Sequence, residues 1–170
     1  MASNKTLFED LFRAARRSAV HLEMRDGYML DDEYAAWLRG DHTFESDEGN
    51  WWFSLVKESV ARGVEIRRAR VVSEPISSYV RFEYELTGGH NAKAGERVRW
   101  LPRRQATGLA LPGNDFWLFD GETLLINHFA GNGDATEKEI VTDPAVIVLC
   151  RSAFEAVWEL AVPHEDYQPS

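Results

Sequence analysis

Cysteine is nearly absent: Cys150 is the only one in 170 residues, so no intramolecular disulfide can form. It sits in the apolar run AVIVLC, where neighbours raise a thiol's pKa and block access to it. A lone apolar thiol suits a reducing, cytoplasmic compartment. Long apolar runs are missing as well. Nowhere do about 18 apolar residues follow one another, so no membrane span is expected, and MASNKTLFED lacks the basic and apolar regions of a signal peptide. Positive charge is in deficit, with 19 Lys and Arg against 28 Asp and Glu and a formal net charge of -9. Direct binding to nucleic acid or to an anionic membrane is therefore not expected, because phosphates require a net positive face.

Several chemical signatures are also absent. No G-x-S-x-G elbow offers a nucleophilic serine. The five histidines, His21, His42, His90, His128 and His164, are scattered singly rather than at ligand spacing, so no metal is expected. Gly131-Asn132-Gly133 lacks the Lys-Ser/Thr of a phosphate loop and leads into a strand, which makes it a turn. No motif calls for a cofactor.

What is present is core-forming material. Hydrophobic residues make up 44% and aromatics 12%, with 6 tryptophans, enough for one folded domain of this length. Thr6 and Glu9 read as a capping box ahead of Leu7, Phe8, Leu11, Phe12 and Ala15, predicting a helix over about residues 7–19. LDDEYAAWLRG predicts a short helix capped by Asp31 or Asp32 and ended by Gly40. The acidic loop DHTFESDEG follows. Asn50 then caps WWFSLVKESVARG, with Trp52, Leu55, Val56 and Val60 on one face and Gly63 closing it.

VEIRRARVV reads as a strand. Residues 76–87 fit a strand by alternation and a helix by the Ser77 or Ser78 cap and the Arg81 to Glu85 spacing. The helix is favoured, because AGERVRWLP after it then completes a β-α-β unit. DFWLF and TLLINHF flank Asp120-Gly121 as a hairpin, and Asn132-Gly133 turns the chain into TEKEIV, giving three antiparallel strands. Asp143 caps and Pro144 starts a last helix with Val146, Ile147, Cys150, Phe154, Val157, Trp158 and Ala161 on one face. The expected organisation is a single α/β (α+β) domain over residues 1–170, a mixed sheet with helices packed on it. A helical N-terminal part spans about 1–63, a sheet core about 64–141 and a C-terminal helix about 143–162.

Charge is unevenly spread. Acidic residues dominate from Glu23 to Glu48, whereas Arg62 to Arg104 holds Arg67, Arg68, Arg70, Arg81, Lys93, Arg97, Arg99 and Arg103. Such a run is read either as a solvated surface with internal ion pairs or as a seat for an anionic partner. Asp115 and Asp120 lie five residues apart on one strand, about 16 Å at ~3.3 Å per residue and on opposite faces. They cannot act as an acid/base pair, and Asp120 at its turn is expected to bond its own backbone.

Two resemblances bear on function. The blocks RVVSEPISSYVRFE, NDFWLFD, NHFAGNG and AFEAVWELAVPHEDY resemble an uncharacterised actinobacterial family described as a domain of unknown function. That likeness implies a bacterial cytoplasmic protein often encoded near helix-turn-helix regulators, hence a regulatory or partner-binding role. The strand-turn-strand around Asp120 is also similar to the phospholipase D half-domain with its H-x-K-x4-D motif. Laying that aspartate on Asp120 puts the histidine position at Gly113 and the lysine position at Asp115. The resemblance would then imply a frame without its nucleophile or its phosphate-stabilising cation.

The leading expectation is a noncatalytic binding or regulatory module for an anionic ligand or a DNA-binding regulator. Its pocket is placed between RRARVVSEP and NDFWLFDGETLLINHF: Arg68, Arg70 and Arg81 pair with anionic groups, Tyr79 and Trp117 stack, and Asp115, Asn127 and His128 orient the ligand. The alternative is a hydrolase or transferase on a phosphate-containing substrate, with His128 as base or nucleophile within reach of two arginines. A third reading docks a basic protein on Trp37, Trp51 and Trp52 beside the acidic loop. Ligand, partner and oligomeric state are not legible in the sequence.

Overall fold

Residues 18–23, SAVHLE, carry the alternation of a half-buried strand, and they form the centre of the molecule. The computed structural model describes residues 4–28, 31–43 and 50–170. Its elements in chain order are α1 (Asn4–Ala14), β1 (Ser18–Glu23), α2 (Asp32–Leu38), α3 (Trp51–Ala61), β2 (Glu65–Val72), α4 (Ser78–Leu86), α5 (Ala92–Ala94), β3 (Arg97–Pro102), β4 (Phe116–Phe119), β5 (Thr123–Phe129), β6 (Ala135–Val141), α6 (Pro144–Leu160) and β7 (Val162–Pro163). The strands make one mixed sheet in the order β6-β5-β4-β1-β2-β3-β7. β1, β2 and β3 are parallel, and the remaining neighbours are antiparallel.

Strand alternation sorts side chains to two faces. On one face Val20, Leu22, Ala69, Val71, Phe116, Leu118, Leu124 and Ile126 pack against Ile147, Cys150, Phe154 and Val157 of α6. On the other, Ala19, Ile66, Trp117, Phe119 and Leu125 meet Phe8 and Phe12 of α1 and Phe53 and Val56 of α3. Beside that second layer Val72, Val98 and Trp100 pack with Val80 of α4 and with Tyr167. Among the described residues no helix is long and apolar enough to cross a membrane.

The local signals explain most boundaries. Asp31 caps α2, its carboxylate accepting from the Tyr34 N–H at 2.7 Å. Asn50 caps α3 through the Phe53 N–H at 3.0 Å, and Asp143 caps α6 through Ala145 at 2.8 Å. The ambiguity over residues 76–87 resolves as a helix over Ser78–Leu86, with Ser77 as cap, and β2, α4 and β3 make the expected parallel unit. Asp120 and Gly121 both adopt positive φ, 52° and 73°, as a tight hairpin between β4 and β5 requires.

Two expectations are corrected. The first helix does not reach residue 19. It starts at Asn4, so Thr6 is not its cap, and ends at Ala14, after which the chain turns into β1; residues 1–63 are therefore not a wholly helical part. Val146, assigned to the buried face of the last helix, is 40% exposed. The remainder of the acidic loop, residues 44–49, lies outside the described residues.

Candidate functional site

The arginines of β2 that face the cleft side of the sheet are not free cations. Alternation sends Arg68 and Arg70 to the face shared with His21 and Glu23 of β1, and there they are consumed by carboxylates. Arg68 donates to Glu23 at 2.6 Å and to Glu96 at 2.5 Å. Arg70 donates to Glu23 at 2.6 Å, to the Thr87 hydroxyl at 2.8 Å, and to Glu83. Thr87 reaches Arg70 from the wide π-helical turn Thr87–Asn91 that follows α4. Asn91 from the same turn donates to Glu96 at 2.7 Å.

His21 closes the network. Its Nδ1 faces the Phe116 carbonyl at 2.7 Å and its Nε2 faces Glu23 at 3.0 Å. Neither partner can donate, so both ring nitrogens stand at donor positions. Three carboxylates, Glu23, Glu83 and Glu96, thereby meet the guanidinium groups of Arg68 and Arg70, with the His21 ring on Glu23. Burial alone would raise the Glu23 pKa. The adjacent Arg68 and Arg70, with His21, overcome that and hold its carboxyl well below the usual range. Tyr79 donates to Glu83 at 2.8 Å, and burial beside that carboxylate keeps its phenol protonated.

The other expected site residues separate. Asp115, at the foot of β4, accepts from the Met24 N–H at 2.9 Å and from the Tyr28 hydroxyl; burial pushes its carboxyl up despite these donors. Arg81 is exposed on α4. Asn127 accepts from Lys138 at 2.6 Å. His128 pairs with Glu139 of the adjacent strand at 2.9 Å. β5 and β2 are three strands apart, about 14 Å at ~4.8 Å per strand, so His128 does not meet the arginines of β2 as the phosphate-enzyme reading requires. Asp120 does not bond its own turn. Its carboxylate accepts from the backbone N–H groups of Arg16, Arg17 and Ser18 at 3.0, 2.7 and 2.9 Å, fastening the α1-to-β1 connection to the hairpin. Burial would raise its pKa, but these donors hold it below the usual aspartate value.

One concave feature on this side of the sheet is an aromatic cleft of about 300 Å³ between α1, α3 and the strands. Asn4, Lys5 and Phe8 come from α1, Trp51 and Trp52 from the first turn of α3, His21 from β1, Arg68 from β2, Trp117 from β4 and Lys138 from β6. The Asn50 cap sets the start of α3 and hence places both tryptophans at the cleft. Phe8 meets Trp52 and Trp117 with ring centroids 5.6 Å apart in each case. The His21 ring stacks on Trp117 at 4.3 Å with 7° between planes. Trp51 is 38% exposed and donates to Glu9. Trp37 stands elsewhere, donating to Glu85 at 2.7 Å. Of the expected ligand residues, Arg68 and Trp117 line this cleft, and Asn127 holds its Lys138. His21, Phe8, Lys5 and Lys138 were not anticipated. The alternation in SAVHLE was the signal for His21, whereas a lysine between glutamates on an exposed strand carries none.

The chain belongs to the DUF6879 family, a domain of unknown function whose model matches residues 6–169. No curated protein matches it. Among solved structures it is similar to Nuc, a phospholipase D family member from Salmonella typhimurium, at 11% identity and a TM-score of 0.54, over 95% of this chain and 90% of Nuc. It is also similar to TrmBL2, an archaeal chromatin protein with a novel mode of DNA binding, at 14% identity and a TM-score of 0.51, over 93% of this chain and 50% of TrmBL2. The chain thus spans about half the length of TrmBL2. The fold is phospholipase D-like; identities this low speak to fold alone.

Proposed function

We propose that this DUF6879 member is a noncatalytic, bacterial cytoplasmic ligand-binding module whose occupied state is read by a protein partner, a DNA-binding regulator. The observation that carries the reading is the chemical state of the aromatic cleft. Its one histidine has both nitrogens committed, and its arginine is neutralised by two carboxylates, so neither group is free to attack or to take a proton. The walls are rings suited to holding a flat molecule. The likeness to a phospholipase D frame with Gly113 and Asp115 at the histidine and lysine positions supports the absence of turnover. A similar fold within half of a DNA-binding chromatin protein supports a regulatory setting, while the net charge of -9 leaves DNA contact to the partner. Trp51, the exposed ring at the rim, is the residue proposed to report occupancy to that partner. The lone buried Cys150 supports a reducing compartment.

Chromogenic nitrophenyl phosphodiester and phosphomonoester probes are expected to give no turnover above buffer. Native mass spectrometry of protein taken from its host is expected to retain a small molecule or a regulator. Turnover that disappears in His128→Ala would overturn the proposal and install the phosphate-enzyme reading in its place.

A further inference from the structure

Within the aromatic cleft one ammonium has no counter-charge and one indole N–H has no acceptor among the described residues. Lys138 is half-buried, and burial pushes its ammonium pKa down. Among the described residues its contacts are the Asn127 side chain at 2.6 Å and the Phe8 ring at 5.7 Å, with no carboxylate paired to it. The Trp52 Nε1–H is buried and, among the described residues, meets no acceptor. A half-buried ammonium without a counter-charge and a buried N–H without an acceptor are each costly, and both are relieved by an anion.

We infer that the cleft is a site for a planar aromatic carboxylate, its ring held among Phe8, Trp52 and Trp117 and its carboxylate held by Lys138 and the Trp52 N–H. This rests on the binding-module reading and names the ligand class it lacks. Charge decides between this occupant and the quaternary ammonium that aromatic cages also hold. Two cations already face the rings of the cleft: Lys5 lies 4.8 Å from the Trp51 centroid, and Lys138, with no carboxylate paired to it among the described residues, lies 5.7 Å from that of Phe8. A cationic ligand would be repelled there, whereas an anion is favoured. A volume of about 300 Å³ is at the small end of ligand sites, which suits one or two fused rings and a short acidic arm. One ammonium and one N–H donor complement a single carboxylate.

The test uses three probes of one shape on the full chain: naphthoate, neutral naphthamide and naphthylmethylammonium, followed by titration calorimetry and by the indole N–H resonances of Trp51, Trp52 and Trp117. Naphthoate is expected to bind at least tenfold more tightly than the amide and to shift the Trp52 indole proton downfield. Lys138→Gln, which keeps a donor for Asn127, is expected to remove that tenfold preference without weakening the amide. Trp52→Phe is expected to weaken naphthoate while keeping the ring wall. Equal binding of acid and amide, or tighter binding of the ammonium, would overturn the carboxylate assignment and leave the binding module standing. If no probe moves the three indole resonances, the cleft is not a ligand site, and the binding-module reading fails with it.

Discussion

Glu23 offers the sharpest measure of how the interior is held. Its carboxylate accepts from Arg68 and Arg70 at 2.6 Å each and from His21 at 3.0 Å. The side chains concerned are 14%, 11%, 4% and 7% exposed for Glu23, Arg68, Arg70 and His21. Glu23→Gln removes the negative charge shared by Arg68 and Arg70 and turns an amide N–H toward a guanidinium. Breaking a buried ion pair from one side costs about 3–5 kcal/mol, which for a domain of this size lowers Tm by about 6–20 °C at ~2–4 °C per kcal/mol. The other face provides the control. Arg67 and Glu155 form a two-pronged pair at 3.0 and 2.7 Å, but Glu155 is 46% exposed, so Glu155→Gln should cost only about 0–1 kcal/mol. Urea unfolding and thermal melts followed by far-ultraviolet circular dichroism measure both. A loss below about 1 kcal/mol for Glu23→Gln, or equal losses for the two variants, would refute the claim that Arg68 and Arg70 are structural charges and would return them to ligand binding.

Other expectations follow from the same geometry. Glu23 and Asp120 have depressed folded-state pKa values, so their stabilisation is present above their unfolded values, near 4, and is lost as pH falls through the folded ones; the wild-type acid slope should flatten in Glu23→Gln. Asp115 is shifted the other way: its stabilisation is complete below the unfolded value and lost as pH rises through the folded one, so Asp115→Asn should be tolerated within about 1 kcal/mol at neutral pH. Asp120→Ala strips the acceptor from three backbone N–H groups and leaves at φ 52° a residue that favours it less than aspartate does, for a loss of about 2–4 kcal/mol by denaturant titration. Cys150, 1% exposed with its thiol pKa raised by burial, should resist an aromatic disulfide reagent until the protein unfolds; stoichiometric labelling of the native state would contradict its burial.

Much of the architecture was legible because local signals agreed with one another. Asn50, Ser77 and Asp143 each announce a helix start, and each side chain makes the capping bond. The hairpin at Asp120-Gly121 was readable from a dipeptide that tolerates positive φ. β1 was missed because it follows a strong amphipathic helix with only Ala15, Arg16 and Arg17 between. What stops the helix is the Asp120 carboxylate taking those backbone donors from more than a hundred residues away, and no local pattern encodes that. The site was harder for a related reason. Arg68 and Arg70 looked like free cations because their partners, Glu23, Glu83 and Glu96, arrive from three other segments. Only the sheet order reveals that both arginines are already paired.

Asp115 and Asp120 end the same four-residue strand, yet the fold drives their carboxyls in opposite directions. Asp120, at the rim, meets three backbone N–H groups and is held ionised. Asp115, buried beside Tyr28 and within the field of Glu23, is pushed toward the neutral form. Two carboxyls with divergent pKa values are the usual mark of an acid and a base working together. Here that mark misleads, because each shift is produced by the group's own structural partners and the strand keeps them about 16 Å apart, too far to share a substrate atom. The cationic and aromatic groups of the cleft lie between them, on the face that carries His21 and Trp117. What that face offers the proposed ligand is a lysine, an indole N–H and four rings, arranged for contact with a flat molecule.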